Sequence, residues 1–444
     1  PFPGNIIPSS LINPVGKNIL GYYADPTSAG NADGTSNFQQ PGLTEDADYY
    51  TLTARVDHNF NDRNRMFVRW SQYNRQSTYD DYFKNLSTGQ WFIFESRNGV
   101  LNHTVTLSPT ATLDLRYGYN RFIRGTSPNP AAVGFDLTSL GFPAYLNNAN
   151  SAADRQFPRI EIAGYQGTGL GGEYRPIDSH GIGATLVKAI GKHTVKGGME
   201  FRSYRENEVF RNNDQIGRFN FDSTWTRGPL DNSPTAPGQL GQSVASLLLG
   251  LPTSTNSYFA RTASYAEQST TWGFFVQEDW KVKPKLTLSF GLRWEVEGAL
   301  RERFNRSVTN FDFGYTQPFS AAAQAAYARN PIPEVAAAQF ISRGGLMFAG
   351  QDGNSGALYS TPKKNFMPRF GFSYNMDPKT VIRGGYGMFY GFLGERRGDV
   401  IQSGFSRQTP FNPSADNGLT YLATLSNPFP GGILEAVGNA AGRQ

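Results

Sequence analysis

Apolar and polar residues alternate with a period of two along several stretches of the chain. In WGFFVQEDW, residues Trp272, Phe274, Val276, Glu278 and Trp280 share one side. After the turn KVKPK, residues Leu286, Leu288, Phe290, Leu292, Trp294 and Val296 continue that side. Gln277, Asp279, Thr287, Ser289, Arg293 and Glu295 occupy the other. A period of two is the mark of strands with one apolar and one polar face.

The same arrangement recurs. YTLTARVDHNF, the turn NDRN and RMFVRWSQYN place Leu52, Ala54, Val56 and Phe60 beside Met66, Val68 and Trp70. GVLNHTVTL, SPT and ATLDLRYGYNRF place Leu101, Val105, Leu107, Leu113, Leu115, Tyr117 and Tyr119 on one face, with Asp114, Arg116, Gly118 and Asn120 opposite. ATLVKAIGKHTVKGGMEFRSY and RFGFSYNMDPKTVIRGGYGMFYGF complete five hairpins. The apolar parity carries across the turn from Phe60 to Met66, Leu107 to Ala111, Trp280 to Leu286 and Tyr374 to Ile382. In the third hairpin the parity of LVKAI is ambiguous, and a bulge near Ile190 would repair it.

Tight turns close each hairpin, whereas long segments rich in Gly, Asn, Pro and Ser join one hairpin to the next: Gly125–Asp154, Glu206–Thr270 and Leu300–Asn365. AAAQAAYARN and PEVAAAQF read as helical pieces in the last of these. Residues 1–46 read as an irregular lead-in with one helical turn around Pro14–Tyr22, and 47–444 as the repeating body. Compact soluble domains rarely hold several such loops, while transmembrane barrels have short turns on one rim and long loops on the other.

Composition sharpens the choice of solvent. Hydrophobic residues are 38% of the 444, but aromatics reach 14% and Gly numbers 49, which favours many half-buried strands over a helical core. No apolar run approaches the ~20 residues of a spanning helix; a barrel is compatible with the mean hydropathy of −0.46. The eight residue steps from Trp272 to Trp280 span about 26 Å, or roughly 20 Å of height at a tilt of ~40°, close to a barrel's apolar band of ~25 Å. Strands of nearer 9–12 residues exceed the ~5–6 of most soluble strands, and favour this over a β-sandwich or propeller with its apolar face inward.

The pattern therefore predicts an all-β fold: a partial antiparallel up-and-down transmembrane β-barrel of about 10–14 strands. Trp70, Tyr117, Tyr119, Trp272, Trp280, Trp294, Tyr386 and Tyr390 are candidates for an aromatic girdle. Arg55, Asp57, Asp114, Arg116, Glu200, Arg202, Arg293, Glu295 and Arg383 are candidates for a wet lumen. Both signs of charge are present, so most of these read as a mutual pairing network. Glu278 interrupts the apolar face: it sits near a rim, points into an oligomer contact, or marks a local error of face.

Several blocks carry a resemblance. FPGNIIPSSLINPVGKNILGYYADPT, VDHNFNDRNRMFVRWS, HTVKGGMEFR, FFVQEDWKVKPKLTLSFGLRWE and NFMPRFGFSYNMDPKTVIRGGYGMFY, in that order, resemble Oar-like TonB-dependent outer-membrane receptors. The resemblance implies a plugged barrel of about 22 strands in a Gram-negative outer membrane. It implies a substrate bound by extracellular loops and the plug apex, and energy supplied by a TonB–ExbB–ExbD complex acting through the plug. Plug, TonB box, regulatory-like domain and terminal aromatic strand are not found in these residues, so the chain reads as a barrel fragment truncated at both ends. The expected partners are outer-membrane lipid, that energising complex and an extracellular substrate of unknown kind. The alternative is a non-transporting surface barrel or adhesin that binds a partner through its long loops.

Other chemistry is weakly represented. GTGLGG at Gly167–Gly172 fits a phosphate-loop spacing, but Pro176 blocks the helix that would receive the phosphate, so a flexible loop is the reading. His58, His103, His180 and His193 stand far apart with no metal spacing. Asp352-Gly353-Asn354 lacks the rest of a calcium loop and reads as a solvated turn; Arg396-Arg397 reads as a rim charge. Paired carboxylates in one cleft and a serine elbow are not apparent, and the chain is expected to be no enzyme and to need no cofactor. A net charge of +5 is spread along the chain, which argues against a nucleic-acid partner.

Overall fold

The computed structural model describes residues 2–443 except 32–33, 41–45, 212–213, 228–238 and 392–399. Its main sheet is a meander of ten long strands, each antiparallel to the next. They are β1 (Asp46–Asn61), β2 (Asn64–Tyr79), β3 (Gln90–Ser108), β4 (Ala111–Pro128) and β5 (Gly172–Ile190). They continue as β6 (His193–Arg211), β7 (Tyr265–Lys283), β8 (Leu286–Glu297), β9 (Asn365–Asp377) and β10 (Thr380–Gly387). A short segment, Arg301–Glu302, adds to β7. Among the described residues β1 and β10 do not pair, so the sheet is open.

The strands β1 to β7 run 16 to 19 residues, longer than the alternation suggests. The pattern hides the extra length because the apolar face turns polar towards the long-loop rim. Gln72, Arg97, Arg121, Asp178 and Arg205 lie there on the same face as Val68, Leu101, Tyr117, Ile182 and Phe201.

The five tight turns solve one geometric problem in two ways. At β1–β2, β3–β4, β7–β8 and β9–β10 no turn residue has positive φ. Each ladder instead carries a bulge beside the turn, with Phe60, Leu107, Val282 or Met376 as the extra residue. The bulge restores the twist that an unprimed turn removes. The β5–β6 turn has Gly191 at φ 59° and keeps its register through Ile190 opposite His193. The bulge expected near Ile190 is therefore not formed, because a glycine in the left-handed region makes it unnecessary.

The hydrophobic core lies at the long-loop rim. A four-stranded sheet of Arg407–Pro410, Tyr258–Arg261, Arg218–Phe221 and Arg159–Ile162 sits there, its last two members parallel. Helix α1 (Pro14–Leu20) joins it from the lead-in. Asn13 caps α1, accepting from the Val15 and Gly16 N–H groups, and Pro14 occupies the first turn. Val15, Ile19, Leu137, Phe157, Phe219, Leu247, Phe259, Phe411 and Leu425 form one buried cluster. The first two long connections, with the lead-in helix and the segment around Phe411–Phe429, thus form a folded cap with its own core, whereas the third carries a separate two-stranded sheet, Val308–Thr316 with Arg343–Phe348. GTGLGG belongs to this region and is packed. Thr168 is buried, the Gly169 N–H donates to the Ser87 carbonyl, and a Cβ at Gly169, whose φ is 65°, would overlap the Pro158 carbonyl. Residues 167–171 form an irregular loop, as expected, held in place by these contacts.

Of the expected helical pieces, one is a helix at Ser320–Tyr327 and the other a single 3-10 turn at Ala337–Gln339. Asp352 and Gly353 form a turn at positive φ, with Asp352 3.3 Å from Arg443. Arg396 and Arg397 lie outside the described residues.

Candidate functional site: the polar face of the wall

Cross-strand register decides which side chains meet, since residues directly opposite in an antiparallel ladder share a face about 5 Å apart. One lateral row runs Asp57, Phe67, Asn102, Arg116, Gly183, Glu200, Gly273, Glu295. The row beside it runs Arg55, Arg69, Val100, Gly118, Gly181, Arg202, Thr271, Glu297. On the other flank, Thr104, Asp114, Thr185, Gly198, Phe275 and Arg293 follow each other. Eight of the nine candidate lumen residues therefore stand in three adjacent rows of one face. Arg383 is on that face too but nearer the tight turns, opposite Ser373.

Most of these charges are already engaged. Arg293 reaches Glu200 at 3.0 Å and binds Glu295 through its Nε. Arg202 lies 3.8 Å from the same Glu200. Arg55 holds Asp57 at 2.6 Å. Asp114 accepts from Asn102 at 3.0 Å and from Thr104 at 2.9 Å. Arg69, Arg116 and Arg383 are exposed and form no ion pair within the described residues.

Between the charges the wall is floored with glycine. A Cβ at Gly118 would meet nothing within 4 Å, whereas one at Gly273 would come to 2.6 Å from Arg293 Nη2, so Gly273 lets that arginine lie flat. A recess of about 460 Å³ opens over Gly118, Gly181 and Gly183, lined by Arg69, Asn98, Arg116, Asn120, Arg202 and Tyr204. Sequence reasoning passed over Arg69, Asn98 and Tyr204. Their signal was available, because each falls on a polar position of the alternation.

The opposite face is apolar across all eight strands of one row: Val56, Val68, Leu101, Tyr117, Ile182, Phe201, Trp272, Val296. Trp70 stacks on Tyr119 at 6.4 Å, and Trp294 stacks between Phe274 and Phe366 at 5.7 and 6.1 Å. Tyr386 lies opposite Phe370 on this face. Tyr390 follows the end of β10 and is on no strand. Trp280 stacks on His193 at 5.5 Å towards the tight-turn rim. Glu278 is on the apolar face as assigned. Near that rim it makes a 2.5 Å hydrogen bond with His193 Nδ1.

A face this apolar, left uncovered on a sheet with a charged reverse side, requires a hydrocarbon solvent. The sequence model of a family described as "Outer membrane beta barrel domain" matches residues 1–443. The chain belongs to that outer-membrane β-barrel family. It is located in the Gram-negative outer membrane, with the Val56–Val296 row of the barrel wall against lipid. No curated protein matches the chain. Among solved structures it is similar to the copper transporter OprC, at 9% identity and a TM-score of 0.38, covering 79% of this chain and 38% of that one. It is also similar to the outer membrane transporter YddB from Escherichia coli, at 10% identity and 0.34, covering 78% and 32%. A third is the FrpB iron transporter from Neisseria meningitidis (F3-3 variant), at 10% and 0.36, covering 82% and 40%. The barrel chain thus spans 32% to 40% of the length of these structures.

The cap of this outer-membrane barrel is braced by ion pairs outside the membrane. Glu161 is shared by Arg159 and Arg218, both at 2.8 Å. Burial pushes its carboxyl up, but the two guanidiniums outweigh it and hold the group below the ordinary range. In the 414–422 loop the Thr420 hydroxyl and N–H and the Ser414 hydroxyl hold Asp416 down to about 2.

Proposed function

We propose that this chain is part of the barrel wall of a TonB-dependent transporter of the Oar-like group, which takes up a large or scarce substrate. The plug, the TonB contact and further strands would be supplied by chain outside these residues. The observation that carries the reading is the polar face: eight charged candidates in three adjacent rows around a glycine floor. A hydrated, charged surface of this kind suits an interior that meets water or a polar plug rather than lipid. The ordered sequence blocks that resemble Oar-like receptors support the same reading. Two of the long connections, which would meet substrate in this reading, are folded together in the cap.

The test is site-specific photo-cross-linking of the intact protein to the periplasmic domain of TonB in living cells. Cross-links that strengthen when the extracellular medium supplies the substrate are expected. An intact protein that never cross-links to TonB under any growth condition overturns the proposal.

A further inference from the structure

The apolar face ends in an ordered sequence of rows on the long-loop side. The row Val68, Leu101, Tyr117, Ile182, Phe201, Trp272 is aliphatic and aromatic. The next is Trp70, Gly99, Tyr119, His180, Ser203, Thr270, in which Trp70 stacks on Tyr119 and Tyr119 meets His180 at a tilt. The one beyond is Gln72, Arg97, Arg121, Asp178, Arg205, Gln268, Arg301. Aliphatic, then amphipathic ring, then cation is the order in which a bilayer changes from acyl chain to headgroup.

The last row is not electrically balanced within itself. Arg97 and Arg121 are directly opposite each other across β3 and β4, an arrangement that costs free energy unless an anion lies between them. Arg121 pairs with Asp178 at 3.0 Å, and Arg97 with Glu95. Arg205 is exposed and has no ion pair within the described residues. Beside it, Arg303 donates to Asn207. Burial and the neighbouring Arg205 lower the proton affinity of Arg303. A recess of about 570 Å³ opens at the end of the row, lined by Gln268, Thr270, Arg301, Arg303 and Asn305 among others. Four arginines of the row face two carboxylates, leaving a surplus of positive charge at the headgroup level.

We infer that the Arg97–Arg121–Arg205–Arg301 row is a binding site for the phosphorylated sugar headgroup of an outer-leaflet glycolipid. Guanidinium groups in a fixed lateral ladder match phosphate oxygens in pairs, and the carboxamides of Gln72 and Gln268 at the flanks suit sugar hydroxyls. The aromatic row beneath would pack on the first carbons of the acyl chains. The site is on the lipid face, so it is separate from the polar wall and does not depend on transport.

The test is titration of the intact barrel in detergent with bis-phosphorylated lipid A, read by native mass spectrometry. Dephosphorylated lipid A and inorganic phosphate are the comparison probes. Lipid A with both phosphates should bind. Arg205→Gln should weaken it about fivefold, and Arg205→Gln with Arg301→Gln about twenty-fivefold. Asp178→Asn should bind at least as tightly as the parent, and Arg69→Gln on the polar face should change nothing. Heat-modifiable migration checks that each variant is folded, and Arg205→Lys, which keeps the charge but loses the paired donors, should bind more tightly than Arg205→Gln and less tightly than the parent. Equal binding of the dephosphorylated lipid, or equal loss in Arg69→Gln, overturns the inference. So does inorganic phosphate competing as an equal of the lipid, which would make the row a general anion patch.

Discussion

Replacing Val276 by arginine distinguishes hydrocarbon from water on the apolar face. Val276 is midway between Trp272 and Trp280, is 51% exposed, and is flanked by Leu292 and Gly197 in the ladders. At ~3.3 Å per residue and a tilt of ~40°, each edge of the apolar band is about 10 Å away in height. An arginine there cannot bring its whole guanidinium to the interface, so the midplane penalty of about 2–4 kcal/mol applies, not the ~0–1 of interfacial positions. Gln277, one residue on, points to the polar face opposite Gly291 and Lys196. Arginine there should alter stability by no more than about 0.5 kcal/mol. The measurement is reversible urea unfolding of the intact protein in phospholipid vesicles, with both variants compared at the same pH and lipid. A Val276→Arg effect below about 0.5 kcal/mol, or one matched by Gln277→Arg, would refute the placement of this face in lipid.

Two further outcomes concern the cap. Phe219 is fully buried between Phe142, Phe411 and Phe429. Phe219→Ala should destabilise the cap by about 3–5 kcal/mol, seen as rapid proteolysis of the long-loop rim while the wall keeps its heat-modifiable migration; cleavage at the parental rate counts against a cooperative cap. Asp416 has its folded pKa depressed to about 2, so its contribution is present above the ordinary carboxylate range and is lost as pH falls towards that value. Trp225 packs against Tyr421 at 5.5 Å in an edge contact and reports on the same loop. Its fluorescence should change between about pH 4 and pH 2, and the step should vanish in Asp416→Asn; a step that persists there has another origin.

The wall was legible in the sequence because each of its rules is local. Alternation placed Val276 and Gln277 on opposite faces, and turn composition located all five tight turns. It failed where locality fails. In LVKAI, Leu186 and Ile190 lie on the apolar face, but Val187 and Ala189 fill the other with apolar atoms, so the alternation cannot choose a parity. The strands appeared too short because Arg97, Arg121 and Arg205 stand where an apolar residue was expected. The cap was not legible. Its strands RIEI, RFNF, YFAR and RQTP are four residues each, and their partners are distant in sequence. Eight of the nine polar-face candidates converged on three rows because register, once the turns are known, is arithmetic.

The origin of the cap's core in separated segments sets an order of assembly. Each tight hairpin can zip from its own turn, but Val15 meets Leu247 and Leu425 only after intervening strands have aligned. The rim domain is therefore expected to complete its folding after the sheet that carries it. A chain stalled before its final segment would present a finished palisade with a ring of unmated phenylalanines at the top, a signal a quality-control chaperone could read.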